Sequence, residues 1–164
     1  MLEMLRRRLN KDEQGFTLIE LMVVVLIIAI LLAIAIPSFL GARGKAQDRA
    51  AQSNARNALT AEKTFYTDNQ KYTDVAADMK AIEPSLGYVA APRQGEKEVK
   101  LVKAATAAGA VVADAVVCIT SVSANGTTFI VKDVAAGTNA GTYFTKDAAA
   151  GCDDTVGGSW SDKW

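Results

Sequence analysis

The residue whose chemistry most needs explaining is Glu20. Residues 16–36 read Phe-Thr-Leu-Ile-Glu-Leu-Met-Val-Val-Val-Leu-Ile-Ile-Ala-Ile-Leu-Leu-Ala-Ile-Ala-Ile, with only Thr17 and Glu20 breaking the apolar run. About 21 residues at 1.5 Å each are enough to cross a bilayer as a helix. A carboxylate inside such a span costs about 2.5–3.5 kcal/mol on insertion scales, so it calls for a cation. The span contains no lysine or arginine. A cut between Gly15 and Phe16 would supply one, because it creates an ammonium group one helical turn from Glu20. Gly15 suits a scissile position, since it puts no side chain between the backbone and a protease.

The remaining chemistry is sparse. The chain has no histidine, the commonest general base and metal ligand. It has no Gly-x-Ser-x-Gly, Walker or His-Glu motif, which argues against catalysis and against a bound cofactor. Its two cysteines, Cys118 and Cys152, are too far apart for a redox Cys-x-x-Cys pair. They read either as a structural disulfide or as two buried thiols. Asp147, Asp153, Asp154 and Asp162 cluster near Gly151, Gly157 and Gly158. Asp147, Asp153 and Asp154 are candidate calcium ligands, because hard cations take oxygen donors on flexible loops. No EF-hand spacing is present, and a solvated acidic turn accounts for the same residues. The 18 basic and 18 acidic side chains cancel, so no global field favours nucleic acid, and no specific nucleic-acid partner is evident.

These groups must be positioned by a long helix and a small sheet. Residues 1–15 carry Arg6, Arg7, Arg8 and Lys11 ahead of the apolar run, which fits a cytoplasmic leader under the positive-inside rule. Residues 16–66 are expected to form one helix, with residues 16–37 as its membrane segment. Pro37, Gly41 and Gly44 predict a kink or a locally melted stretch over 33–44. Beyond it, Phe39, Ala42, Ala46, Ala50, Ala55, Ala58, Leu59, Phe65 and Tyr66 recur at spacings near three and four, an amphipathic stripe. Such a helix is about 75 Å long, more than a small domain can cover. Its first half must therefore be buried by lipid or by sister helices.

Residues 67–97, punctuated by Asp68, Asn69, Asp74, Pro84, Gly87, Pro92 and Gly95, read as a connecting loop with a short helix over 75–82. Residues 98–164 read as an antiparallel sheet and a C-terminal region. Strands are expected at 98–103, 115–123, 127–134 and 142–146. Asn125-Gly126 is a hairpin turn in which both positions accept positive φ. Asn125-Gly126-Thr127 also matches a glycosylation acceptor pattern, but the turn explains the same residues.

Gly15-Phe16-Thr17-Leu18-Ile19-Glu20, followed by the apolar run and Pro37, resembles the type IV pilin and pseudopilin signature; the match is strong from Gly15 to about Phe39. The resemblance implies an α+β fold, with a long N-terminal helix packed on a small antiparallel sheet. It implies cleavage between Gly15 and Phe16 by a prepilin peptidase, methylation of the new amine and packing into a homo-oligomeric helical filament. Phe16, Glu20 and Pro37 are the residues it assigns to assembly, with Glu20 meeting the Phe16 amine of a neighbouring subunit. It also implies a variable surface loop at 67–97, a C-terminal region bounded by Cys118 and Cys152, and calcium binding if the chain is a major pseudopilin. The precursor would sit in the inner membrane lipid with its C-terminus outside, before assembly machinery moves it to a surface pilus.

Three functions compete: a structural pilus subunit, a major pseudopilin of type II secretion, and an anchored domain that does not polymerise. Conduction along the helix is disfavoured, because about 39 Å separates Phe39 from Phe65 while ring stacking needs centroids within about 7 Å.

Overall fold

The computed structural model describes residues 15–104, 114–152 and 158–164. Residues 1–14 of the expected leader, and the candidates Asp153 and Asp154, lie outside the described residues. The chain divides into two compact units, residues 1–42 and 43–164.

Helix α1 spans Leu18–Asn69. Leucine, isoleucine, valine and alanine fill its first half, and none of residues 18–42 is buried. It runs unbroken through Pro37, Gly41 and Gly44, so the melted stretch considered for 33–44 does not occur. Pro37 removes one amide donor without ending the helix. The helix stops where Gln70 turns left-handed, at φ 56°. The Gln70 amide donates to the Tyr66 carbonyl at 2.7 Å, and Asn69 Nδ2 donates to the Phe65 carbonyl at 3.0 Å. These bonds satisfy carbonyls that a helix end otherwise leaves open.

In residues 43–164, α1 presents Ala51, Ala55, Ala58, Leu59, Ala61 and Glu62 as its buried face. Ala46 and Ala50, expected on the stripe, are exposed. The short helix α2 spans Ala76–Ile82 and buries Met79. Five strands follow: β1 Gly87–Tyr88, β2 Glu98–Lys103, β3 Val116–Val122, β4 Thr128–Val134 and β5 Gly141–Thr145. They lie in sequence order in one sheet. The antiparallel sheet read from the sequence is therefore present as β2 to β5, and β1 adds a parallel edge pair to β2. The segment 67–97 thus holds a helix and a strand as well as turns. Gly87 and Tyr88 are too short a run to show strand periodicity.

Period-two alternation divides the sheet. Val99, Val117, Ile119 and Val131 pack with Ala55, Ala58 and Leu59 of α1 and with Tyr72 and Leu86. On the opposite face Val116, Val134 and Ala104 pack with Tyr143 and Cys152. Because both faces are covered, β3 and β4 are buried along most of their length.

The β3–β4 connection differs from a two-residue turn. The Ser123 amide donates to the Thr127 carbonyl at 2.9 Å, which encloses Ala124, Asn125 and Gly126. Only Gly126 is left-handed, at φ 85°. Asn125 instead uses its side chain, whose Oδ1 accepts from the Thr127 amide at 3.2 Å. A three-residue loop needs one left-handed position, and glycine supplies it without strain.

Candidate functional site

The candidate site is the start of α1 and the surface that follows it. Phe16 is 88% exposed, and every large apolar side chain from Leu18 to Leu40 is exposed as well. By length and composition α1 can cross a membrane. A contiguous apolar surface of this extent on a soluble monomer would be an association or membrane site.

At its head, Thr17 and Glu20 form a reciprocal cap. Glu20 Oε2 accepts from the Thr17 amide at 2.9 Å and from Thr17 Oγ1 at 2.7 Å. Thr17 Oγ1 accepts from the Glu20 amide at 3.3 Å. This is a capping box, and it satisfies donors that the first turn leaves open. The Thr17-x-x-Glu20 spacing ahead of an apolar run carries that signal in the sequence, where Glu20 was read only as a charge seeking a partner. These side-chain bonds fall on Oε2, so Oε1 remains outside the network. Gly15 has no atom within 4 Å of where a Cβ would stand. Among the described residues, its position therefore answers to no packing demand beyond its chain neighbours.

The C-terminal region is held at three points. Cys118 and Cys152 are joined, with Cα atoms 5.8 Å apart. Ser161 pairs with Phe144, each amide donating to the other's carbonyl at 3.0 and 2.7 Å, which covers the β5 edge. The two tryptophans take opposite faces of the sheet. Trp160 lies over the Lys132 ammonium at 4.0 Å, and Trp164 packs edge-on to Phe129 at 5.1 Å and against Phe144 at 5.0 Å.

Of the calcium candidates, Asp147 is described. Its Oδ1 accepts from the Ala149 amide at 2.9 Å, so it organises a local turn. Among the described residues, no three histidine, cysteine or acidic side chains group as metal ligands.

A polar cluster that the sequence reading missed lies beneath α1. Asp133 on β4 accepts from the Tyr72 hydroxyl and from Thr142 Oγ1, and pairs with Lys63 Nζ at 2.8 Å. Burial, followed by the hydrogen bond to Asp133, pushes the Tyr72 hydroxyl far above its ordinary value. Glu62 is completely buried beside it. A charge on the apolar stripe, one turn from Ala58 and Leu59, was the available signal. A cavity of about 160 Å³ is lined by Gln47, Asn54, Glu96 and Ser123 among others, and brings no activated nucleophile to a base.

Comparison with known proteins agrees with this geometry. Residues 10–36 match the family described as the prokaryotic N-terminal methylation motif. The chain is 43% identical over 72 residues to the type IV major pilin protein PilA of Myxococcus xanthus, covering 44% of this chain and 33% of that protein. It is 41% identical over 63 residues to the type IV wide pilus major component PilA4 of Thermus thermophilus, covering 38% and 48%. It is 31% identical over 70 residues to the type II secretion system core protein G of Pectobacterium carotovorum, covering 43% and 45%. The matched part thus spans a third to about half of each relative's length. The chain carries the N-terminal methylation motif of prepilins, folds as an α+β chain consistent with the type IV pilins, and is similar to their major subunits and to a type II secretion core protein.

Proposed function

We propose that this chain is a structural subunit of a type IV pilus, cut between Gly15 and Phe16 by a prepilin peptidase and built into a helical filament. The observation that carries this reading is the unburied apolar surface of α1 from Leu18 to Leu40, headed by the single acid Glu20. Lipid covers that surface in the precursor, and neighbouring copies cover it in the filament. In this scheme residues 1–15 are removed and residues 16–37 polymerise. Residues 67–97 connect to a sheet, and residues 98–164 form the outer, disulfide-bounded part. Glu20 keeps its cap and offers its free oxygen to the methylated amine of Phe16 on the next copy. The relatives named as pilins and the absence of a nucleophile–base pair among the described residues favour a structural over a catalytic role. The filament would serve adhesion, motility or DNA uptake from the cell surface.

Sheared surface filaments should contain this chain beginning at an N-methylated Phe16, read by mass spectrometry of its N-terminal peptide. Filaments lacking the chain, or a chain retaining Gln14 and Gly15, would overturn the proposal.

The similarity to a type II secretion core protein favours a second reading, a periplasmic pseudopilus. Calcium-dependent stabilisation of the full chain, together with absence from surface filaments, would select that reading.

A further inference from the structure

Glu62 is 0% exposed, on a helix face otherwise built from alanine and leucine. Its Oε2 accepts from the Thr73 amide at 3.2 Å. Its Oε1 is buried with no hydrogen-bond partner among the described residues. Leaving a buried carboxylate half-satisfied is costly, and ionising it there costs more.

After burial, which pushes the Glu62 carboxyl up, the next influence is the Thr73 amide, whose hydrogen bond favours the charged form without offsetting the burial. Asp74 and, more weakly, Asp78 oppose the charged form. Lys103 on β2 favours it, but Lys103 Nζ is shared between Asp114 at 3.2 Å and Asp74 at 3.7 Å. Tyr72 and Tyr88 are close enough for Glu62 to raise both hydroxyls further. Asp133 is reached only through Tyr72. Burial therefore dominates, and the Glu62 carboxyl is pushed up from 4.5 to about 7.

What Glu62 holds is the start of a short flap. Tyr72 is fixed on two sides, by Asp133 and by its amide donating to the Asp114 carbonyl at 2.8 Å. Beyond it, Thr73 Oγ1 donates to Asp78 Oδ2 at 3.1 Å and accepts from the Val75 amide at 3.0 Å. Thr73 thus ties the first turn of α2 to itself, and Glu62 ties Thr73 to α1. Most of α2 is exposed, and Met79 is its only buried residue.

We infer that Glu62 is a proton-operated latch: protonated, it docks the flap Thr73–Ile82 against α1, and ionised, it releases that flap from the Tyr72 hinge so that water reaches the carboxylate. The folded chain holds an extra proton between about pH 4.5 and about 7, so docking weakens as pH rises across that window. In this proposal the relief is local: opening the flap hydrates the carboxylate at the expense of exposing Met79. The solvent-facing surface of α2 then changes with the acidity of the medium.

The test uses the full chain in detergent micelles with its disulfide intact. Amide protection factors, corrected for intrinsic exchange, are measured from pH 5.5 to 8.5. Protection at Thr73 and in Ala76–Ile82 should fall about tenfold or more, while the β3 and β4 amides hold steady. Glu62→Gln keeps the acceptor for Thr73 and cannot ionise, so its flap protection should change less than about twofold. Equal pH dependence in the two proteins would overturn the latch. Should the variant fail to fold, the wild-type Glu62 carboxyl carbon shift decides. A midpoint near 7, tracked by the Thr73 amide, supports the latch. A midpoint near 4.5, or a Thr73 amide that does not follow it, overturns the latch.

Discussion

Thr17 and Glu20 cap each other at the first turn of α1, the carboxylate accepting from both the amide and the hydroxyl of the threonine. The acid thought to wait for an ammonium group is thus already engaged within its own chain. The two roles are compatible, because a carboxylate has about four acceptor sites and the cap uses one of its oxygens. They also separate by substitution. Glu20→Gln should keep the cap and normal cleavage, yet reduce filament yield because the charge is gone. Thr17→Val should keep the charge and loosen the first turn by about 1 kcal/mol. Equal filament yields from wild type and Glu20→Gln would sink the charge-pairing role.

Gly15→Leu should leave an uncut precursor in the membrane. Beyond its chain neighbours, none of the described residues lies within 4 Å of a Cβ at this position, so the substitution should leave the described fold intact. A mature-sized band on a gel, with otherwise normal processing, would show that the glycine is not what the peptidase needs.

Cys118→Ser should lower the thermal midpoint of residues 43–164 under oxidising conditions. The bridge spans a sequence separation of 34. Closing such a loop contributes about 2–4 kcal/mol. The loss should fall first on the C-terminal region, so the fluorescence of Trp160 and Trp164 should change before the α1 signal does. An unchanged midpoint would mean the bridge adds nothing to stability.

Tyr72→Phe should destabilise the globular part by about 1–2 kcal/mol, because it removes one donor from the buried Asp133 while leaving shape and packing nearly intact. Asp133→Asn should cost more, since it removes the partner of Lys63 and alters the acceptor of both Tyr72 and Thr142. Chemical denaturation midpoints at constant m-value check the order. A Tyr72→Phe midpoint equal to wild type would indicate that this hydroxyl contributes no net stability.

The sequence alone determined the features that depend on local pattern. Twenty-odd apolar residues make a helix that no small domain can bury, and Gly15-Phe16-Thr17-Leu18-Ile19-Glu20 marks where such a helix begins. β-branched runs separated by Asn125-Gly126 make a hairpin, whichever turn it adopts. The tertiary structure decided which charges lie inside. Glu62 sits one turn beyond Ala58 on a stripe whose burial depends on where the sheet and Thr73 come to rest. Asp133 is buried because Tyr72, Lys63 and Thr142, distant in the chain, converge on it. Trp160 and Trp164 take opposite faces because Ser161 pairs with Phe144 at the sheet edge. Periodicity tells which residues share a face, but only long-range packing tells what that face meets, and the cost of a buried charge depends on what it meets.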